Sequence, residues 1–417
     1  MAAFQTLRGF RDFYPEDCGL RNYVFDTWRD VARRYGFAEY EAPLVEPTDL
    51  YRKKSGDEVV TQLFRFDTQG GEDVSLRPEV TPSFARMVGA KAREFPKPVK
   101  WFEIGQCFRY EKPQKGRGRE FYQWNVDILG ESSAEADAEL IALAIDCMKA
   151  FGLGPDDFSV RISDRRIWDA FAKENGIGDE QFEGFLRTID KWEKVPVEKL
   201  GIMLEPSGVS YQQVADFMAE ASVLDEALGP IAASLEARGL GGYLSPDPTI
   251  VRGLAYYTGV VFEVFDIRGD LRAIAGGGRY DGLVKLIDGK ADLPACGFAM
   301  GDMVIGILLQ QAEAAKAQLE ATIPAQADVF VILGDEPQRP QALRLVQDLR
   351  SAGIRVDFPL SAVKFGKQFA LAEDRSSRFA VIVGREFPAV KLRNLSTRED
   401  FDLDASSLVE EVQKALA

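Results

Sequence analysis

Three short segments of the chain gather residue types that can do chemistry. The first is Phe108-Arg-Tyr-Glu-Lys-Pro-Gln-Lys-Gly-Arg-Gly-Arg-Glu-Phe-Tyr-Gln123. It reads as two antiparallel strands between Lys100 and Gly130, joined by a loop whose glycines and charges bar a regular element. Residues two apart on a strand share a face, so Arg109 and Glu111 point one way, and Gln123, Asn125 and Asp127 share a face of their own. A strand face this polar is either washed by water or lines a site. The loop tips the balance, because Lys115, Arg117 and Arg119 interleave with glycine in a way that suits a flap over a polyphosphate.

The second segment is Leu76-Arg-Pro-Glu-Val-Thr-Pro-Ser-Phe-Ala-Arg86. Glu79 and Thr81 stand between two prolines that stiffen the backbone, and a carboxylate and hydroxyl so held can receive an ammonium group. The plainer reading is a helix N-terminus capped by Thr81 or Ser83. The third segment is Val251-Arg-Gly-Leu-Ala-Tyr-Tyr-Thr-Gly-Val-Val-Phe-Glu263, followed by Ala275-Gly-Gly-Gly-Arg-Tyr-Asp-Gly282. Beside a glycine, Arg252 can bring its fork of donors to a carboxylate or phosphate, although a surface arginine in a turn reads equally well. Tyr256 and Tyr257, at the start of a strand from Tyr256 to Asp266, would face opposite ways unless that strand is bulged. The glycine triplet reads as a turn. Its spacing fits neither the Walker loop nor the dinucleotide fingerprint.

Composition narrows the chemistry. The 417 residues include no histidine, which removes histidine bases, histidine triads and histidine-containing zinc sites together. Cys18, Cys107, Cys147 and Cys296 are scattered singly, so neither a zinc ribbon nor a disulfide framework is indicated. Catalysis must come from carboxylates, arginines, lysines and metal ions. With 51 Lys+Arg against 66 Asp+Glu the net charge is −15, which argues against sequence-independent coating of nucleic acid. No apolar run reaches the roughly 18 to 20 residues needed to span a bilayer, and Met1 to Phe10 lacks the pattern of a secretory leader. A cytoplasmic protein with no membrane partner is expected.

The elements that must position these residues form two units. Leu20, Val24, Trp28 and Val31 repeat at helical spacing, Gly36 ends that helix, and Phe37 to Pro43 reads as a short strand. A helix from about Glu135 to Phe151 and a strand from Phe158 to Ile162 follow. The stretch from about Asp164 to Arg238 carries several helical patterns and no strand signal. Pro294-Ala-Cys-Gly-Phe298 leads into a helix running to about Lys316, and Ala314 to Gln326 reads as a helix end and linker. From Val329 onward, Val329 to Leu333, Pro340 to Ala352, Ile354 to Asp357, a helix near Phe365 and Phe379 to Val383 make a βαβαβ series.

Taken in order, the segments resemble a known family. Phe108 to Gln123 resembles motif 2 of class II aminoacyl-tRNA synthetases, and Val251 to Tyr257 with Gly276-Gly-Gly-Arg-Tyr-Asp-Gly-Leu283 resembles the two histidine-specific signatures of the histidyl-tRNA synthetases. With the motif 1-like region ending at Pro43 and the C-terminal α/β region, the likeness covers nearly the whole chain. It implies an α+β catalytic domain on a mainly antiparallel sheet over residues 1–320, with a helical insertion at about 164–240. A small α/β anticodon-binding domain over 327–417 would follow.

The resemblance also implies roles. Glu79, Val80, Thr81 and Gln123 would hold the ammonium side of histidine, while Asp127, Tyr257 and Tyr256 would read its imidazole. A carboxylate and a phenol can satisfy the donor and the acceptor of that ring together. Arg109 would take the α-phosphate and the substrate carboxylate, with Arg252 across from it on the reacting groups. Glu111 would lie at the ATP site and Arg117 would reach the terminal phosphates. ATP is then a substrate, Mg²⁺ its companion ion with protein ligands unassigned, tRNA(His) the acceptor, and a homodimer the expected assembly. The charge clusters around Arg117 and Lys364 are the candidate tRNA contacts.

Two positions depart from the family pattern. Val304 stands where motif 3 carries an arginine for the γ-phosphate, and Ala255 stands where many members carry an acidic residue. Lys115 or Arg117 would then supply the contact missing at Val304. A histidine-sensing paralogue without catalysis, similar to the regulatory subunit of ATP phosphoribosyltransferase, shares the catalytic fold. It typically lacks the C-terminal α/β domain, so Ala327 to Ala417 favours the enzyme.

Overall fold

The computed structural model describes residues 4–220, 222–251, 256–269, 271–323 and 325–416, with backbone alone at 54–59, 222–223 and 225. The chain divides into two compact units, Met1–Thr322 and Ile323–Ala417.

The first unit is built on an eight-stranded sheet. Its strands run in the order Ala38–Glu39, Val99–Phe108, Glu120–Leu129, Ala295–Gly301, Ala275–Arg279, Val260–Asp266, Phe158–Asp164, Leu244–Pro246. The inner pairings are antiparallel and the two edge pairings parallel. Alternation along Glu120–Leu129 divides the two faces. Trp124 stacks on Trp28 at 5.8 Å between ring centroids, which seats the helix Pro15–Arg34 on one face. That helix begins with proline at its first turn beside Glu16 and Asp17, ends on Arg33 and Arg34, and is followed by Gly36 at φ 74°. On the other face Asn125 meets Thr81 of the helix Thr81–Ala90. Between Asp164 and Leu244 the described chain is helical, from Arg165–Glu174 through Ser222–Ala237.

The structure departs from the sequence expectation at two places. The glycine triplet is not a turn, because Gly276 to Gly278 lie inside the central strand Ala275–Arg279. A β-carbon on Gly277 would lie 2.2 Å from the Gly297 carbonyl oxygen, and one on Gly278 2.4 Å from that of Val260. Glycine lets three strands approach closely there. The strand expected from Tyr256 begins only at Val260, so period-two alternation does not govern the two tyrosines.

The second unit carries the βαβαβ series and extends it. Val356–Asp357, Val329–Leu333 and Phe379–Val383 are parallel, and Ala389–Asn394 and Asp400–Asp404 add an antiparallel edge. Val329, Val331 and Leu333 pack with Leu345 and Leu349, and with Leu408 and Val412 of a terminal helix Leu408–Leu416.

Candidate active site

One face of the strand Glu120–Leu129 organises the site. Phe121, Gln123, Asn125 and Asp127 project from it in turn, so Gln123 and Asp127 stand about 13 Å apart along the strand.

At the Gln123 end lies a cavity of about 200 Å³, lined by Arg109, Glu111, Arg117, Phe121, Gln123 and Arg272, with Gly276, Ala299 and Val304 among its other walls. Arg109 follows directly on the strand Val99–Phe108. Its Nε donates to the Pro78 carbonyl oxygen at 2.9 Å, and its guanidinium lies 5.2 Å from the centre of the Phe121 ring. Both contacts fix its direction. Glu111 forms an ion pair with Arg117. Arg117 closes a tight turn with Gln114, whose N–H and carbonyl bond it at 3.0 and 2.9 Å, around Gly116 at φ 74°. A β-carbon on Gly116 would come within 3.2 Å of Val304, so the loop rests on that apolar side chain. Lys115 is exposed and does not line the cavity.

In the middle, Asn125 Nδ2 donates to Thr81 Oγ1 at 3.3 Å. Val80, fully buried, precedes the helix Thr81–Ala90, and neither Thr81 nor Ser83 caps it. Glu79 is half-buried just before it, one residue from the carbonyl that Arg109 holds. The second and first segments are thereby tied together.

At the far end Asp127 is 1% exposed and accepts a short hydrogen bond from the Tyr280 hydroxyl. Burial pushes the Tyr280 phenol well above its ordinary pKa, and the charge of Asp127 pushes the same way, so the phenol keeps its proton. The strand before Tyr280 is anchored by Arg279, which donates to Asp137 at 2.6 and 3.1 Å and to the carbonyls of Glu131 and Ser133 at 3.1 Å. Tyr256 packs against both Tyr257 and Tyr280, with ring centroids at 4.7 and 5.8 Å. Tyr257 is 7% exposed and belongs to the same apolar cluster.

Arg252 and Ala255 lie outside the described residues. Arg109, Glu111, Arg117 and Gln123 line the cavity, Glu79, Val80 and Thr81 lie at the junction, and Asp127, Tyr256 and Tyr257 lie at the far end, whereas Lys115 and Arg119 are not among the cavity's lining residues. Sequence reasoning missed Arg272, Tyr280 and Tyr40. Tyr280 lies within the Gly276 to Leu283 signature, but nothing in its local sequence gives it a role. Tyr40 packs on Phe84 and Trp101, and its buried hydroxyl has no hydrogen-bond partner among the described residues. Nothing in the local sequence marks it.

A family model described as histidyl-tRNA synthetase matches residues 9–303. The chain belongs to that family. A second model, described as an anticodon binding domain, matches residues 328–415. The histidine–tRNA ligase of Opitutus terrae is 44% identical over 97% of this chain and 96% of its own. That of Haloarcula marismortui is 39% identical over 92% and 91%. Among solved structures, the histidyl-tRNA synthetase from Nostoc superposes with a TM-score of 0.81 at 25% identity, covering all of both chains. Family membership agrees with the α+β unit and its helical insertion, and with the C-terminal α/β unit.

Proposed function

We propose that this chain is a histidine–tRNA ligase that activates histidine with ATP and transfers it to the 3′ end of tRNA(His). One observation carries the reading. A single strand face joins an arginine-lined cavity at Gln123 to a buried carboxylate and phenol at Asp127 and Tyr280.

Histidine lies along that face. Asp127, with Tyr256 and Tyr257, reads the imidazole, and Tyr280 holds the carboxylate in place. Glu79, Val80, Thr81 and Gln123 take the ammonium side. Arg109 draws the histidine carboxylate and the α-phosphate together, with Arg252 opposite it. A carboxylate oxygen of histidine attacks the α-phosphorus in line, the bond to the bridging oxygen breaks, and pyrophosphate leaves. No protein nucleophile is needed, and positioning and fixed positive charge lower the barrier. The terminal ribose hydroxyl of tRNA then attacks the carbonyl carbon and AMP leaves.

Glu111 stands at the ATP site and Arg117 at the terminal phosphates. No cluster of three or more metal-ligating side chains is present among the described residues. This donor set fits Mg²⁺ held mainly by the nucleotide's phosphates, with Glu111 the nearby carboxylate. When bound, the ion offsets phosphate charge.

The C-terminal unit supports binding of the anticodon arm and weighs against the histidine-sensing alternative. We read the assembly as a cytoplasmic homodimer. Exposed Leu44 and Val45, directly after the motif 1-like segment, support a subunit contact, and no described helix is long and apolar enough to cross a membrane.

The test is exchange of pyrophosphate into ATP by the purified protein with each amino acid in turn. Exchange with histidine alone is expected, and it is expected to vanish in Arg109→Ala and Arg252→Ala proteins that still fold. Exchange with another amino acid, or none with histidine, overturns the reading.

A further inference from the structure

The guanidinium groups lining the cavity are not equivalent. Arg109 is held by the Pro78 carbonyl and the Phe121 ring, and Arg117 is held by Glu111. Arg272 makes no hydrogen bond and no ion pair among the described residues, yet it lines the same cavity. It belongs to the segment leading into the strand Ala275–Arg279. The Ile274 carbonyl oxygen faces the Gly301 N–H at 3.4 Å, and Gly301 is paired with Gln123. Arg272 therefore lies two residues beyond the Gln123 row, on the side away from Asp127, far from where an imidazole would bind.

The charges around it are unfavourable. Partial burial lowers the pKa of Arg272, and the positive charge of Arg117 lowers it further, more than that of Arg109 does. Glu111 opposes this but is already engaged with Arg117. The wall formed by Met303 and Val304 offers no charge. Of the carboxylates nearby, Glu111 is engaged with Arg117 and Asp302 with Arg11, and Glu263 acts on Arg272 more weakly than either Arg117 or Arg109. The arginine without a hydrogen-bond or ion-pair partner among the described residues is therefore the one placed to receive an anion.

We propose that Arg272 binds the terminal phosphate of ATP in this cavity, beside Arg117, and so serves as a nucleotide-positioning residue. The proposal rests on the reading that the cavity takes ATP. Arg109, directed toward Pro78 and Phe121, serves the α-phosphate, while Arg117 and Arg272 share the outer phosphates. Binding relieves the repulsion between Arg117 and Arg272, because a polyphosphate brings negative charge directly between them.

The test compares the wild-type protein with Arg272→Ala and Arg272→Lys in histidine-dependent pyrophosphate exchange. Calorimetric titration with ATP and with AMP accompanies it. Loss of a charge-assisted contact is expected to raise KM for ATP about tenfold to a hundredfold. KM for histidine should stay within about twofold, and the lysine variant should recover part of the loss. Affinity for ATP should fall while affinity for AMP, which lacks the outer phosphates, should not. A purely structural role would move both substrates and both nucleotides together, and that result overturns the proposal. So does a KM for ATP within about twofold of wild type, or a defect confined to transfer onto tRNA. In each of these cases the wild-type exchange still stands and the functional reading survives. A wild-type protein that binds no ATP overturns both.

Discussion

Gly297 and Asp127 stand opposite each other on neighbouring strands, and a β-carbon on Gly297 would lie 2.1 Å from Asp127 Oδ1. The buried carboxylate occupies the space that a side chain would take. Gly297→Ala is expected to push Asp127 off its position and raise KM for histidine at least about tenfold, with KM for ATP little changed. The same β-carbon would meet the Val126 carbonyl oxygen at 2.8 Å, so a loss of about 1–3 kcal/mol in stability should accompany it. Exchange kinetics and urea unfolding measure the two effects. An unaltered KM for histidine would show that Asp127 is not the group that reads the ring.

The Tyr280 hydroxyl orients Asp127 and shares its negative charge. Tyr280→Phe removes one hydroxyl and keeps the ring that packs on Tyr256. A hydrogen bond to a charged group is worth about 1.5–3 kcal/mol, which corresponds to about a tenfold to hundredfold weakening of histidine binding. The variant should still fold, since the aromatic contacts remain. Equilibrium dialysis with labelled histidine is the direct measurement, and undiminished affinity would remove Tyr280 from the recognition scheme.

These relations mark the limit of what the sequence makes legible. The polar face Gln123, Asn125, Asp127 could be read because period two is a property of one strand. The C-terminal series could be read because two of its strands, Val329–Leu333 and Phe379–Val383, are continuous apolar runs. Tyr280 and Gly297 are partners of Asp127 through strand order, and strand order is not written locally. The triplet at Gly276 reads as a turn in isolation, and only the backbone of Gly297 and Val260 explains why it is a strand. Arg272 has no distinguishing neighbour in the chain. It reaches the cavity because Ile274 pairs with Gly301, which pairs with Gln123. In the second unit, Asp400–Asp404 carries three aspartates in five residues, a composition that hides a strand whose charges meet Lys391 and Arg393 of its neighbour.

Beneath the site lies a buried ion pair. Arg77 Nη1 meets Glu103 Oε1 at 2.5 Å, and the two residues are 2% and 1% exposed. Arg77 also donates to the carbonyls of Gln106 and Ala42, at 2.8 and 2.9 Å. The pair thus ties the strand Val99–Phe108 to the segment that carries Glu79 and Thr81. Glu103→Ala leaves a buried guanidinium without its counterion, at a cost of about 3–5 kcal/mol. Glu103→Gln keeps an acceptor and should cost less. Urea unfolding is the measurement, and equal midpoints for alanine variant and wild type would mean the pair adds nothing.

In the second unit Asp400 pairs with Arg393 through two bonds of 2.6 and 2.8 Å, and Lys391 lies 3.4 Å away. The bond from Arg393 is the main reason its carboxyl is held at about 2, below the ordinary aspartate value of about 3.9. A depressed folded-state pKa means that this contribution to stability is complete above the unfolded value and disappears as pH falls through about 2. Its size is small because the pair is partly solvated and screened by salt. Carbon-13 NMR of the Asp400 carboxyl should show a midpoint near 2, moving up toward about 4 in Arg393→Ala. A wild-type midpoint already near 4 would mean that the edge strands Ala389–Asn394 and Asp400–Asp404 are not joined through this pair in solution.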